Sequence, residues 1–121
     1  MIRTLALLLG LGAGVATAQQ DEPVTSAPGA VLRGLDKVNG RSVDLRILNG
    51  ETAEVFGLDV ALGDCRYPVD NPTGDAFAYL TIWERNERQA LFDGWMIASS
   101  PALNALDHSR YDVWVIRCIT S

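Results

Sequence analysis

The sequence predicts an all-β domain, a compact antiparallel sandwich or partly closed barrel of about seven short strands. Two observations support this prediction. From residue 30 onward, runs of Val, Ile, Leu, Phe and Tyr are interrupted by Gly, Asn, Asp or Pro roughly every eight to twelve residues, which is the spacing of an all-β sandwich or barrel. Hydrophobic residues also make up 48% of the chain and charged residues only 21%, so the chain can bury a core.

The amino-terminal residues have the pattern of a secretory signal peptide. Arg3 supplies a positive charge, an apolar run follows over residues 5–15, and Ala16-Thr17-Ala18 is the small-x-small sequence that a signal peptidase cleaves. No cysteine lies next to the cleavage position, so a lipid anchor is not expected. We therefore expect residues 1–18 to be removed as a signal peptide and the product to be periplasmic, exported through the general secretory route.

Residues 19–29 are polar and contain Pro and Gly, and we expect them to form a flexible leader without core residues. A single β domain would then span residues 30–121. The formal net charge is −5, which argues against nucleic acid or an anionic membrane as a partner. No stretch is apolar over enough residues to span a bilayer, so no direct membrane insertion is expected once the signal peptide has been cleaved.

The strands are placed by the apolar runs between turn residues. They are expected at residues 31–37, 41–47, 51–56, 58–66, 76–84, 89–97 and 111–119. One short helical turn is expected near residues 101–106, because Ser100 can cap it and Pro101 can open it. Leu103 and Leu106 would form the apolar face of this turn.

Asn39-Gly40 and Asn49-Gly50 repeat one turn chemistry, and both are expected to close β-hairpins. Three-residue loops that end in a left-handed glycine match the apolar positions of the flanking strands better than two-residue loops do. The pairs that follow are Leu35 with Val43, Val31 with Ile47, Leu45 with Ala53, and Val43 with Val55.

Two later strands have more particular patterns. Apolar residues alternate from Phe56 to Leu62, but Cys65 lies one residue out of phase with them, so a β-bulge is expected near Gly63-Asp64. In the strand at 76–84, Ala76, Leu80 and Ile82 form one face, and Phe77, Tyr79, Thr81 and Trp83 form the other. Both faces of that strand need cover, as expected of a central strand.

Cys65 and Cys118 are the two cysteines of an exported chain, so a single intramolecular pairing exists for them. Closing a loop of roughly 50 residues stabilises a fold by about 4 kcal/mol on the loop-entropy view. A Cys-x-x-Cys pair is absent, which argues against redox catalysis. One His and no ligand spacing of a zinc or copper site lead us to expect no metal and no cofactor.

The connection between the last two expected strands, residues 92–108, is rich in specific chemistry and has two interpretations. It either closes the core at one end of the sandwich or forms a binding loop. We expect Trp95 and Leu103 to be mainly buried, and Asn104, Asp107 and His108 to form an exposed edge. The candidate partner-binding residues are Trp95, Met96, Ser99, Ser100, Asn104, Asp107 and His108.

Four motifs stand in order along the chain. They are Leu32-Arg33-Gly34-Leu35-Asp36-Lys37 with Asn39-Gly40-Arg41, Phe56-Gly57 before Cys65, Gly94-Trp95-Met96 through Ala98-Ser99-Ser100-Pro101 and Leu103-Asn104-Ala105-Leu106, and Tyr111-Asp112-Val113-Trp114 before Cys118. Together they resemble the domain of unknown function 2155, a family of small exported proteins of alphaproteobacteria. The resemblance covers nearly all of residues 30–118. It implies export, one domain and a bond between the two cysteines, but the family has no established activity and no assigned catalytic residues.

We therefore expect a non-enzymatic periplasmic domain that contacts another envelope protein through the end of the sandwich at residues 95–108. Genes of the family that it resembles often lie beside one for an accessory subunit of the respiratory NADH:quinone oxidoreductase, so a respiratory membrane complex is one candidate partner. The first alternative is a binding module for cell-wall glycan or peptide, in which Phe77, Tyr79 and Trp83 would form a stacking platform if they faced water.

The second alternative is a small hydrolase. Ser99, Ser100, His108 and Asp112 include the residue types of a catalytic triad. They lack the Gly-x-Ser-x-Gly turn that would expose a nucleophile, and no Gly-rich phosphate loop is present. No catalytic residue is therefore assigned.

Overall fold

The computed structural model describes residues 22–120 and contains eight strands in two antiparallel sheets, so the all-β prediction is confirmed. The strands are β1 (Val24–Ala27), β2 (Gly29–Asp36), β3 (Ser42–Leu48), β4 (Thr52–Val55), β5 (Leu58–Pro68), β6 (Phe77–Glu84), β7 (Ala90–Ile97) and β8 (Tyr111–Cys118). The five-stranded sheet has the order β1-β5-β6-β7, with β4 also paired to β5, and the three-stranded sheet has the order β3-β2-β8. The predicted signal peptide lies outside the described residues.

The core consists of aliphatic side chains from the facing sides of the two sheets, as strand alternation dictates. Those that are almost fully buried include Leu32, Ile47, Leu58, Val60, Leu62, Leu80, Ile82, Val113 and Val115. Gly34 allows the sheets to approach closely, because a Cβ atom at this position would lie 2.5 Å from Cγ1 of Val55 on the opposite sheet.

The hairpin between β2 and β3 forms where the sequence predicts it, but its register is shifted. Leu35 faces Ser42, one position before the predicted partner. The loop is longer than predicted because it is closed at Asp36. The N–H of Asp36 donates to the carbonyl of Arg41, and its carbonyl accepts from the N–H of Gly40, both at 2.8 Å. Gly40 is left-handed, as predicted, with φ +76°.

The Asn49-Gly50 turn does not close a hairpin, so the pairing predicted between β3 and β4 is wrong. The chain instead crosses from the three-stranded to the five-stranded sheet at this turn. Gly50 is left-handed, as predicted, but its N–H donates to the carbonyl of Leu62 at 2.8 Å. The side-chain amide of Asn49 donates to the carbonyl of Ala27, also at 2.8 Å. The N–H of Glu51 also donates to the carbonyl of Leu48 at 3.0 Å, so the turn is closed locally and is in addition tied to β1 and β5 of the five-stranded sheet.

Part of the predicted leader belongs to the fold. Residues 24–27 form β1, which pairs with the end of β5 from Val24 opposite Pro68 to Ala27 opposite Cys65. Ala27 is buried, and Gly29 begins β2. The prediction of a flexible leader is therefore wrong for residues 24–29, because backbone pairing orders a segment whose side chains are mostly exposed.

The β-bulge predicted near Gly63-Asp64 is confirmed, since the register of β5 against β6 shifts between Leu62 and Asp64. The shift turns Cys65 into the core, where it is bonded to Cys118. This disulfide joins β5 of one sheet to β8 of the other.

The helical turn predicted near residues 101–106 is not formed, and no helix occurs within residues 22–120. The N–H of Leu103 donates to the carbonyl of Ser100 at 3.0 Å, which makes a single β-turn. The connection from β7 to β8 runs along the length of the sandwich, from Asp75 to Glu84. An extended chain covers about twice the distance per residue that a helix covers, so the connection spans this distance without a helix. Within the described residues, no helix is long and apolar enough to cross a membrane.

We expect reduction of the Cys65–Cys118 bond to lower the melting temperature by many degrees. The bond stabilises the fold by about 4 kcal/mol on the loop-entropy view, a large share of the stability of so small a domain. Thermal melts with and without reductant measure the effect, and a variant with Cys65→Ala and Cys118→Ala is the control, because reductant should not change its melting temperature. Detection of two free thiols by alkylation of the unfolded, never-reduced protein would contradict the bond.

Candidate functional site

Residues 98–110, here named the seam segment, connect β7 to β8 along the side of the sandwich where both sheets end. At one end the N–H of Ala98 donates to the carbonyl of Ala76 at 2.9 Å. At the other end the carbonyl of Arg110 accepts from the N–H of Lys37 at 2.7 Å. The segment is thus fixed at one end to the residue just before β6 and at the other end to the residue just after β2.

The residues that close the core are not all the expected ones. Met96 and Leu106 are buried, whereas Trp95 is 36% exposed and Leu103 is 72% exposed. The expectation that Trp95 and Leu103 are mainly buried is therefore wrong. Side chains alternate along β7, so the inward position of Met96 places Trp95 on the outer surface and removes Met96 from any partner surface.

Ser99 and Asn104 fasten the seam segment to the five-stranded sheet. The N–H and the hydroxyl of Ser99 donate to the two carboxylate oxygens of Asp75, at 2.9 and 2.6 Å. The side-chain amide of Asn104 donates to the carbonyl of Trp95 at 2.9 Å. In the described part of the chain β7 pairs with β6 alone, so it is an edge strand. Asn104 therefore hydrogen-bonds to a carbonyl that no neighbouring strand pairs with. Ser100 contributes its N–H to the carbonyl of Ile97 at 3.1 Å.

His108 does not belong to an exposed edge, because its side chain is only 15% exposed. Its Nδ1 accepts from the backbone N–H groups of Arg110 and Tyr111, at 3.0 and 3.1 Å. The ring proton therefore lies on Nε2, which donates to Oε1 of Glu84 at 2.7 Å. The predicted exposed edge of Asn104, Asp107 and His108 is therefore wrong for His108, which is a structural residue. Asn104 and Asp107 are exposed, as predicted.

Asp36 is the buried acidic residue beneath the end of the seam segment, with 3% of its surface exposed. The guanidinium of Arg110 donates to both of its carboxylate oxygens, at 3.0 to 3.2 Å. These hydrogen bonds lower the pKa of Asp36; burial opposes the shift, and the backbone N–H of Val38 adds to the lowering. The charge of the carboxylate is thus compensated inside the fold.

The outward surface of the five-stranded sheet around Trp95, here named the Trp95 face, carries a different kind of cluster. Cζ of Arg66 lies 4.9 Å from the centre of the Trp95 ring, and the ring of Tyr79 contacts Trp95 edge-on at 5.3 Å. The hydroxyl of Tyr79 donates to Oδ1 of Asp93 at 2.6 Å, which raises the pKa of Tyr79. Arg66 is in turn paired with Asp64 at 2.8 Å.

A shallow groove of about 260 Å³ lies on the Trp95 face. Its lining residues are Val24, Arg66, Phe77, Trp95 and Ile97. The predicted aromatic stripe is adjacent, since Phe77, Tyr79 and Trp83 of β6 point outward and are half-buried. This side of β6 has no second layer over it within residues 22–120, although the sequence suggested that both faces would be covered.

Sequence analysis identified Trp95 but missed Arg66 and Asp93. Arg66 lies on β5 and Asp93 on β7, on either side of β6. Strand alternation predicts that each points outward, but the pairing of three strands and the bulge in β5 must be known before they can be placed together.

A second groove, of about 310 Å³, lies between the seam segment and the start of β8. Its lining residues are Pro101, Ala102, Ala105, Asp112, Val113 and Trp114. Apart from Asp112 the lining is apolar in its side chains, and no cluster of titratable groups accompanies it.

The residue types named for a hydrolase triad make other contacts in the structure. Both ring nitrogens of His108 are engaged by the backbone and by Glu84, and neither Ser99 nor Ser100 hydrogen-bonds to His108. Within the part of the chain that the structure describes, no three His, Cys, Asp or Glu residues are grouped to hold a metal ion.

Comparison with known proteins gives one family and one distant relative. The family model described as "Uncharacterized protein conserved in bacteria (DUF2155)" matches residues 30–118. A protein of Rickettsia prowazekii (strain Madrid E), named Uncharacterized protein RP359, is 26% identical to this chain over 87 residues. The match covers 69% of this chain and 56% of the relative, so the chain spans about half the length of the curated relative that it matches. No solved structure matches.

We expect Leu106→Ala and Leu103→Ala to differ sharply in stability. Loss of the buried Leu106 side chain leaves a cavity and should cost about 2–4 kcal/mol of unfolding free energy. Leu103 is exposed, so its truncation should change that free energy by less than about 0.5 kcal/mol. Denaturant unfolding of both variants measures the difference, and equal costs would show that the seam segment packs differently.

The Asp36–Arg110 pair predicts a dependence of stability on pH. The folded-state pKa of Asp36 lies below the ordinary value of about 3.9, so its contribution is complete above about pH 4 and is lost as the pH falls through the folded-state pKa. Asp36→Asn should therefore lower the melting temperature at neutral pH, and the difference from the unaltered protein should shrink in acid.

Melting temperatures from neutral pH to about pH 3 measure this effect. Asp44→Asn is the matched control, because Asp44 also pairs with an arginine, Arg33, but is half exposed to water. It should change the melting temperature less at every pH. A difference between Asp36→Asn and the unaltered protein that stays constant in acid would be inconsistent with the pair.

Proposed function

The chain belongs to the bacterial family of uncharacterised proteins DUF2155, and we propose that it is a non-enzymatic periplasmic domain that binds another protein of the cell envelope through the Trp95 face. The periplasmic location rests on the signal-peptide pattern of residues 1–18. The contact surface rests on the geometry of the described residues.

The observation that carries the proposal is the composition of the Trp95 face. Trp, Tyr and Arg are the residues most enriched among those that dominate binding energy at protein interfaces. Here Trp95 contacts both Arg66 and Tyr79 on an outward sheet face, beside an apolar groove. The arrangement orders these rings before any partner binds, which reduces the entropy lost on association.

Exposed apolar groups extend the same surface. Val24 is 41% exposed, and Phe77 and Ile97 border the groove. Apolar side chains with a polar margin are typical of a surface that a partner covers. The seam segment contributes to this surface chiefly by fixing the carbonyl of Trp95 through Asn104.

A binding module for cell-wall glycan is a second candidate, and one observation favours it. Tyr79 and Trp83 stand on the outward side of β6 rather than in the core, as a stacking platform requires. The two candidates differ in what the surface must contact, which is a protein in one case and a sugar ring in the other.

We expect Trp95→Ala to abolish recovery of the partner while leaving the fold intact, because the ring is at the centre of the proposed contact and packs on the outer side of the sheet rather than in the core. Leu103→Ala is the control, since it removes an exposed apolar side chain from the seam segment. Tagged versions of both variants are cross-linked in cells, and the recovered envelope proteins are compared with those of the unaltered protein. Near-UV circular dichroism establishes that each variant is folded.

The outcomes separate the candidates. Loss of one partner protein with Trp95→Ala and its retention with Leu103→Ala support the proposal. Retention of every partner by Trp95→Ala overturns it. Cosedimentation of the unaltered protein with purified, protein-free peptidoglycan, lost with Trp95→Ala, would instead establish glycan binding.

A further inference from the structure

We propose that the Trp95 face takes a positively charged segment of its partner, with a Lys or Arg side chain beside Asp93 and an apolar side chain in the groove. This inference rests on the proposed function, because it specifies the chemistry of the partner that the same surface binds.

The first step concerns the charge of the face. The outward positions of β4, β5 and β7 carry Glu54, Asp59, Asp64 and Asp93. Two arginines compensate two of these carboxylates: Arg66 pairs with Asp64 at 2.8 Å, and Arg85 pairs with Glu54 at 3.2 Å. In the described part of the chain Asp59 and Asp93 form no ion pair. Asp59 lies opposite Trp83, toward the other end of the sheet, so Asp93 is the uncompensated negative charge beside the aromatic cluster of the Trp95 face.

The second step concerns Asp93. Its Oδ1 accepts from the hydroxyls of Tyr79 and Thr81, at 2.6 and 3.2 Å. These neutral donors orient the carboxylate without cancelling its charge, and the side chain is exposed. Asp93 and Trp95 point to the same side of β7, about two strand residues apart. A cation paired with Asp93 would thus lie next to the groove.

The third step is a precedent inside the molecule. The Arg66 guanidinium already lies over the Trp95 ring at 4.9 Å while it pairs with a carboxylate. A cationic side chain can bind to the face of an aromatic ring and to a carboxylate at the same time. This surface already offers both groups to Arg66, an arginine of its own chain. Tyr79 with Asp93 offers a similar combination to a side chain from outside.

The mode of contact is limited by the seam segment. The carbonyls of Trp95 and Ile97 at the edge of β7 accept from Asn104 and Ser100. Addition of a partner strand to this half of the edge is therefore blocked, and the segment must lie across the face with its side chains directed at the groove and the carboxylate.

The test uses the folded, disulfide-bonded protein and a synthetic peptide of alternating Arg and Leu as the probe. Peptides of alternating Glu and Leu and of alternating Gln and Leu are matched probes. Binding is followed by calorimetry and by the NMR signal of the Trp95 indole N–H, identified with Trp95→Phe. We expect the Arg peptide to bind best, and its affinity to fall as salt rises from about 0.01 M to about 0.15 M, because the charges become screened.

Asp93→Asn is the decisive variant. The amide retains an oxygen that accepts from Tyr79 and Thr81 and removes only the charge, so the fold should be unchanged. We expect it to weaken binding of the Arg peptide about fivefold. Asp112→Asn removes a charge from the other sheet and should leave the affinity unchanged. Equal binding of all three peptides, insensitivity to salt, or full affinity of Asp93→Asn would overturn the inference.

The same variants distinguish this inference from the proposed function. If Trp95→Ala loses its envelope partner while Asp93→Asn retains it, the protein contact stands and the charge of the partner segment has been misassigned. If Trp95→Ala retains every partner, the contact surface itself is wrong.

Discussion

The link between the two sheets is the constraint on which the rest of the structure depends. A small domain buries too little apolar surface to be securely stable, and here the facing side chains are mostly small and medium aliphatic groups. The Cys65–Cys118 bond crosses this core from β5 to β8 and fixes the sheets at one level. Ala78 and Met96 lie at the same level on β6 and β7. The outward position of the neighbouring Trp95 follows from that inward anchoring of Met96.

Features that depend on short-range pattern could be predicted from the sequence, and features that depend on distant backbone partners could not. The bulge that turns Cys65 inward follows from a break in alternation, which neighbouring residues reveal. The turn at Asn49-Gly50 has the residues of a hairpin and a local hydrogen bond between Leu48 and Glu51, but other hydrogen bonds of the turn go to residues 27, 28 and 62. Likewise β1 has no apolar periodicity, because it is held by pairing with β5. The residues around a turn or a strand do not indicate which distant backbone groups will pair with it.

The same distinction between local pattern and distant partners applies to the candidate site. Alternation along β7 would have placed Trp95 outside, but an aromatic residue in an apolar context suggested a core position. The predicted helical turn places Leu103 on its apolar face with Leu106, but the chain forms a β-turn there and Leu103 points outward. His108 and Ser99, which had the residue types of catalysis, are occupied by structural hydrogen bonds. The surface that remains available owes its chemistry to residues on three neighbouring strands, and only the assembled sheet brings them together.

The position of the seam segment has a consequence for the order in which the chain folds. The segment contacts Asp75 beside one sheet, Glu84 at the end of β6, and the β2–β3 turn of the other, so it can dock only after both sheets have formed and met. Contacts so distant in sequence make for slow folding. Until docking is complete, the edges of β7 and β8 are open templates for pairing with other chains. The late step is therefore the one at which a chaperone or a rapid oxidation of the two cysteines would do most to keep newly made molecules from aggregating.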